Sequence, residues 1–131
     1  MTKTNPSILY VGDRETGREL RETVESRGWW VELADERDEA LGLYITCLPD
    51  AVVLDGEFDT KLATEVYHHL RSIEAGPLLV LTEDPRWDYR APDSVYTMLP
   101  PTDLDELASF VDDVVQNNPM PEMWGLARVA Y

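Results

Sequence analysis

Asp13, Asp55 and Thr82 each stand where a short apolar run stops, after "SILYVG", "AVVL" and "LLVL". Two carboxylates and a hydroxyl are hard oxygen donors. Such a set suits Mg2+, which keeps several of its waters and binds through one or two carboxylates. A divalent ion between the acids would cancel their repulsion, orient an incoming phosphoryl group and neutralise its charge. A plainer reading accompanies each residue. Asp13 and Thr82 would also serve as helix N-caps, and Asp55, Glu57 and Asp59 would sit comfortably in a loop after a strand.

For the three to meet, the elements around them must form one sheet. "SILYV" (7–11), "WWVELA" (29–34), "AVVLD" (51–55), "LLVLT" (78–82) and "SVYTML" (94–99) read as strands. Between them, helical periodicity runs over 15–27, closed by Gly28, then over 37–47, 60–75 and 103–117. Ala40, Leu41, Tyr44, Ile45 and Leu48 should face inward from the second helix. Leu62, Val66, Leu70 and Ile73 should do so from the third, and Leu104, Leu107, Ala108, Val111, Val114 and Val115 from the last. The stretch 83–93, "EDPRWDYRAPD", is rich in breakers, so a helix there should be short or irregular.

Strands alternating with helices predict an α/β fold, a doubly wound five-stranded parallel sheet with helices on both faces. Right-handed crossovers bring the carboxyl ends of the strands to one edge. Ligands bind outside that edge, near the point where strand order reverses. Asp13, Asp55 and Thr82 all fall there.

The ordered pieces "ILYVGDRE", "PDAVVLD", "PLLVLTE" and "PTDLDEL" together resemble the receiver domain of two-component response regulators over about residues 7–117. The resemblance implies the CheY-like, flavodoxin-like strand order 2-1-3-4-5. It also implies that Asp55 accepts a phosphoryl group from a histidine kinase or phosphotransfer protein. Asp13, Asp55 and the Glu57 backbone carbonyl would hold Mg2+, Thr82 would hydrogen-bond the phosphoryl group, and Tyr96 would be the switching aromatic on strand 5. A downstream protein partner is implied as well, and a homodimer stays open.

This sequence departs from the pattern in three places. Gly12 stands where the first of two acids belongs. The strand-5 Lys that pairs with the phosphoryl oxygen falls on Leu99 or Pro100, depending on register, and neither is basic. Arg14, Arg86 or Arg90 would have to replace it. The segment between Thr82 and Pro100 is short, and there Trp87 and Tyr89 either pack the loop or anchor a partner. A second function class therefore stands beside the first: a pseudo-receiver that binds a partner without being phosphorylated.

Composition narrows the rest. The 131 residues suit one domain, and Asp plus Glu outnumber Lys plus Arg by 26 to 11, a formal charge of −15. That balance speaks against nucleic acid and against anionic membranes as partners. With only two lysines, Lys3 and Lys61, among the eleven basic residues, the surface also resembles that of proteins from salt-rich cytoplasm. No signal peptide or apolar run of membrane length is present, so a cytoplasmic protein is expected.

A single cysteine, Cys47, excludes an internal disulfide and reads as a buried thiol. The adjacent His68 and His69 would face apart on a helix, and no proton-shuttling His stands at the candidate edge, so an enzyme is not expected. The tail 118–131, with Met120, Met123 and Trp124, folds back, docks on a partner or begins a linker.

Overall fold

Three strands whose interiors are apolar but for the hydroxyl of Tyr10 set the architecture: β1 (Ser7–Val11), β3 (Ala51–Asp55) and β4 (Leu78–Leu81). β2 (Trp30–Ala34) and β5 (Val95–Met98) flank them in a five-stranded sheet of order β2-β1-β3-β4-β5, and every pair is parallel. The structure, a computed structural model, describes residues 6–73, 76–83, 95–98 and 103–117.

Alternation along the strands sends each side chain to one of two cores. Leu9, Val11, Val52, Leu54 and Val80 face α2 (Arg37–Cys47) and α3 (Thr60–Ser72). Ile8, Tyr10, Val53, Leu79 and Leu81 face α1 (Arg14–Glu25) and α4 (Leu104–Asn117). Covering both faces accounts for the continuous Val/Leu runs, since such strands have no solvent side. The ends of the first and third helices are fixed by side chains. Asp13 caps α1 through the Thr16 amide, and the Asp59 carboxylate accepts from the Leu62 amide at 3.0 Å to start α3.

Strand order, the β3 limits and the buried stripe of α4 agree with the sequence reading. Several details differ. Thr82 lies just beyond β4, and α1 stops at Glu25, with Gly28 at φ 76° completing the turn into β2. Ile45 is 68% exposed: at about 100° per residue it lies roughly 140° round the helix from the buried Ala40. Leu48 is 70% exposed because the chain leaves the helix there in a left-handed conformation, φ 46°. Cys47 is exposed rather than buried, in a last turn that carries no buried side chain. Ile73 also leaves its expected stripe, because α3 has ended at Ser72 and Ile73 is its C-cap.

The expected irregular helix between β4 and β5, with Arg86, Trp87, Tyr89 and Arg90, lies outside the described residues. So do Leu99, Pro100 and the tail 118–131. No described helix is long and apolar enough to cross a membrane.

Candidate functional site at the carboxyl edge of the sheet

The strand registers assemble the edge. Asp55 pairs with Leu81 on β4, and the Gly56 amide donates to the Leu81 carbonyl at 2.9 Å, which carries the pairing one residue further. Thr82 therefore sits beside the residue that follows Asp55, and it is only 5% exposed. On the other side Val11 pairs with Leu54, so Gly12 and Asp13 leave β1 next to Asp55. Asp13, Asp55 and Thr82 reach the same edge, as their positions in the sequence predict.

Asp55 ends its strand half-buried, with donors on both carboxylate oxygens. Oδ1 accepts the amides of Glu57 and Phe58, each at 3.1 Å, which folds the following loop round the carboxylate. Oδ2 accepts the hydroxyl of Tyr10 at 2.6 Å. Tyr10 is wholly buried, and its phenol is held protonated far above the ordinary 10.0, first by burial and then by its bond to Asp55. It is a neutral, permanent donor.

Glycine makes this reach feasible. A Cβ on Gly12 would lie 2.7 Å from the Asp55 Cβ and 3.1 Å from the Tyr10 hydroxyl. A Cβ on Gly17 of α1 would fall 3.1 Å from the Tyr10 ring and closer still to Leu33. The missing first acid thus leaves space beside the phenol where it meets Asp55.

Tyr10 is the site residue that sequence reasoning missed. Two signals pointed to it: period-two alternation puts Tyr10 and Gly12 on the face of Val53 and Asp55, and a tyrosine in a fully buried strand needs an acceptor for its hydroxyl. Tyr96, expected as the switching aromatic, is half-buried and packs on the α1/α4 face. It lies in the same row as Tyr10, through Val53 and Leu79, but three strands away.

Asp13 takes the capping role. Its Oδ2 accepts the Thr16 hydroxyl at 2.9 Å and the Thr16 amide at 3.3 Å, so it is the N-cap of α1. Those bonds, the hydroxyl first, hold its carboxyl below the ordinary 3.8 and keep it charged. It also lines, with Asp55 and Glu57, a cleft of about 340 Å3 walled on its apolar side by Phe58, Leu81, Leu104 and Leu107. The Glu57 carboxylate accepts the Glu83 amide at 3.1 Å. Arg14 does not replace the absent lysine. Its guanidinium bonds Asp35 at 2.9 Å and Glu39 at 2.6 Å, at the corner between β2 and α2.

The donor set fits Mg2+ in a reduced form. Two carboxylates line one cleft with room for an ion that keeps several of its waters. No cluster of three or more acidic, His or Cys ligands occurs among the described residues.

A parallel sheet of this order, with a carboxylate ending its central strand, has close structural counterparts. The receiver domain of a Francisella response regulator superposes with a TM-score of 0.73 at 21% identity, over 88% of this chain and 100% of that one. The fold is that of a receiver domain. The receiver fold is shared with response regulator TrrA of Thermotoga maritima in complex with Mg2+ and BeF, at a TM-score of 0.67, 23% identity and 83% and 98% coverage. The pseudo-receiver domain of CikA also shares it, at 0.60, 20% identity and 83% and 96% coverage.

By sequence, the chain is 44% identical over 77 residues to response regulator MprA of Mycolicibacterium vanbaalenii. It is 42% identical over the same length to MprA of Mycobacterium avium. These alignments take in 57% of this chain and 33% and 34% of those proteins, so the chain spans about a third of their length. No protein-family model matches the chain.

Proposed function

We propose that the chain is an atypical receiver module of two-component signalling in which Asp55 accepts a phosphoryl group. The observation that carries this reading is the opening of the Asp13 and Asp55 carboxylates onto one cleft at the carboxyl edge of the sheet. On the receiver fold, that edge is where strand-end residues meet a ligand. The donor would be the phosphohistidine of a kinase or phosphotransfer protein. A carboxylate oxygen of Asp55 attacks phosphorus, the P–N bond breaks as the O–P bond forms, and the imidazole leaves with the electron pair and takes a proton from solvent. Asp13, Asp55 and the Glu57 carbonyl would hold Mg2+, which supplies charge neutralisation for the phosphoryl oxygens. The amides of Glu57 and Phe58 orient the nucleophile. Thr82, buried at the same edge, would turn its hydroxyl to the transferred group, and the chain would act as a carrier of signal rather than as an enzyme of turnover.

The test is incubation with Mg2+ and acetyl phosphate, or with beryllofluoride, in molar salt. One adduct that Asp55→Asn abolishes is the expected result by mass and by NMR of the Asp55 loop. No adduct on the wild-type chain, with the fold intact, would sink the reading.

A second reading has its own observations. With Gly12 in place of an acid, no lysine at Leu99 or Pro100, and a phenol on Asp55, the module would bind a protein partner without phosphorylation. That reading predicts the same partner affinity for wild type and Asp55→Asn.

A further inference from the structure

Tyr10 bears on the site in a way that neither the fold nor the relatives assign. Among the described residues, the Asp55 carboxylate has three donors, and only one of them is a side chain: the Tyr10 hydroxyl on Oδ2 at 2.6 Å. The two amides belong to the loop that Asp55 itself organises, so they orient the group and leave Oδ2 to the phenol. Tyr10 comes from a different strand, 45 residues away in the chain, with its ring packed in the α1/α4 core. It cannot swing into solvent without opening that core.

From this geometry we propose that Tyr10 is a positioning residue that latches Asp55 and competes with Mg2+ and with an incoming phosphoryl group for Oδ2. The proposal rests on the reading of Asp55 as the reactive carboxylate. Its physical basis is simple. A carboxylate oxygen that accepts a short hydrogen bond from a neutral donor has one of its two lone pairs engaged, and is a poorer ligand for a cation and a poorer nucleophile toward phosphorus. Unlike an ammonium group, the phenol brings no charge to compensate an added phosphoryl group. Its bond therefore favours bare Asp55 over the occupied state. Gly12 is the second part of the device, because any Cβ there would press on both members of the pair, at 2.7 Å and 3.1 Å.

The experiment is a Mg2+ titration of the wild-type chain and of Tyr10→Phe, followed through the amide resonances of Glu57 and Phe58, with beryllofluoride added afterwards. Tyr10→Phe keeps the ring in its slot and removes only the hydroxyl. It should bind Mg2+ about tenfold more tightly, the scale of one hydrogen bond to a charged group, and form the beryllofluoride adduct at lower concentration. In the wild-type chain, the Tyr10 ring resonances should move with the same midpoint as the Glu57 amide, a readout that needs no variant.

Equal Mg2+ affinities, no binding by either protein, or a Tyr10 ring that stays unmoved at saturating Mg2+ each overturn the latch. Tighter Mg2+ binding by Tyr10→Phe without phosphoryl transfer to either protein would leave the latch standing and remove the phosphoacceptor reading. Equal affinities with normal labelling of Asp55 would do the reverse.

Discussion

Tyr10 joins core packing and site chemistry in one side chain. The ring fills the α1/α4 core and the hydroxyl ends on Asp55, so packing and site electrostatics are coupled. The coupling has a sign in pH. Folding holds the phenol protonated above its ordinary 10.0. The stability this contributes is complete below that value and drains as pH climbs through it, because the unfolded chain loses the proton first. Tyr44 is raised in the same direction by burial, so the wild-type curve alone does not isolate Tyr10. The difference between wild type and Tyr10→Phe does. Their urea midpoints, compared from about pH 8 to 11, should converge, with wild type losing more. Parallel curves would show that the phenol is not held protonated by the fold.

Elements explain both what could be read in advance and what could not. Asp55 and Asp13 were legible because each interrupts an apolar run, and the parallel topology sends both interruptions to one edge. Thr82 followed from the same rule. The second helix was harder to read. Its apolar residues Leu41, Leu43, Tyr44, Ile45 and Leu48 span too wide an arc for one stripe, so composition did not indicate which side faces the sheet. Tyr10 was missed because the strand pattern accounts for it completely as a core residue, and the bond to Asp55 crosses between strands. The end of α2 also yields a prediction. Leu48 caps the helix at φ 46°, with its amide on the Tyr44 carbonyl and its side chain largely in water. Left-handed backbone is costly for a residue with a Cβ. Leu48→Gly should therefore gain roughly 0.5–1 kcal/mol in urea unfolding, net of the glycine's extra freedom when unfolded. Leu48→Ala should show no such gain.

Across the whole molecule, the surplus of acid is the dominant fact. A formal charge of −15 on 131 residues is set against few described ion pairs. Mutual repulsion among surface carboxylates loads the folded state, and salt relieves it: the screening length falls from about 10 Å at 0.1 M to about 3 Å at 1 M. The unfolding midpoint should climb with NaCl over that range and climb equally with KCl. A flat midpoint would show that the acids are already too far apart for their repulsion to matter. The same excess charge at the site edge means that a divalent cation meets a favourable field before it touches a ligand, so apparent Mg2+ affinity should be compared between proteins only at one ionic strength.

Gly12, finally, makes two designs mutually exclusive. A receiver that keeps an acid at this position has a Cβ there and a third carboxylate to grip its metal. A receiver that lets a phenol rest on its central aspartate leaves that space empty. One carbon atom separates the two: a chain given an acid at position 12 must give up the tyrosine's reach, and one that keeps the tyrosine has one carboxylate fewer to offer a metal.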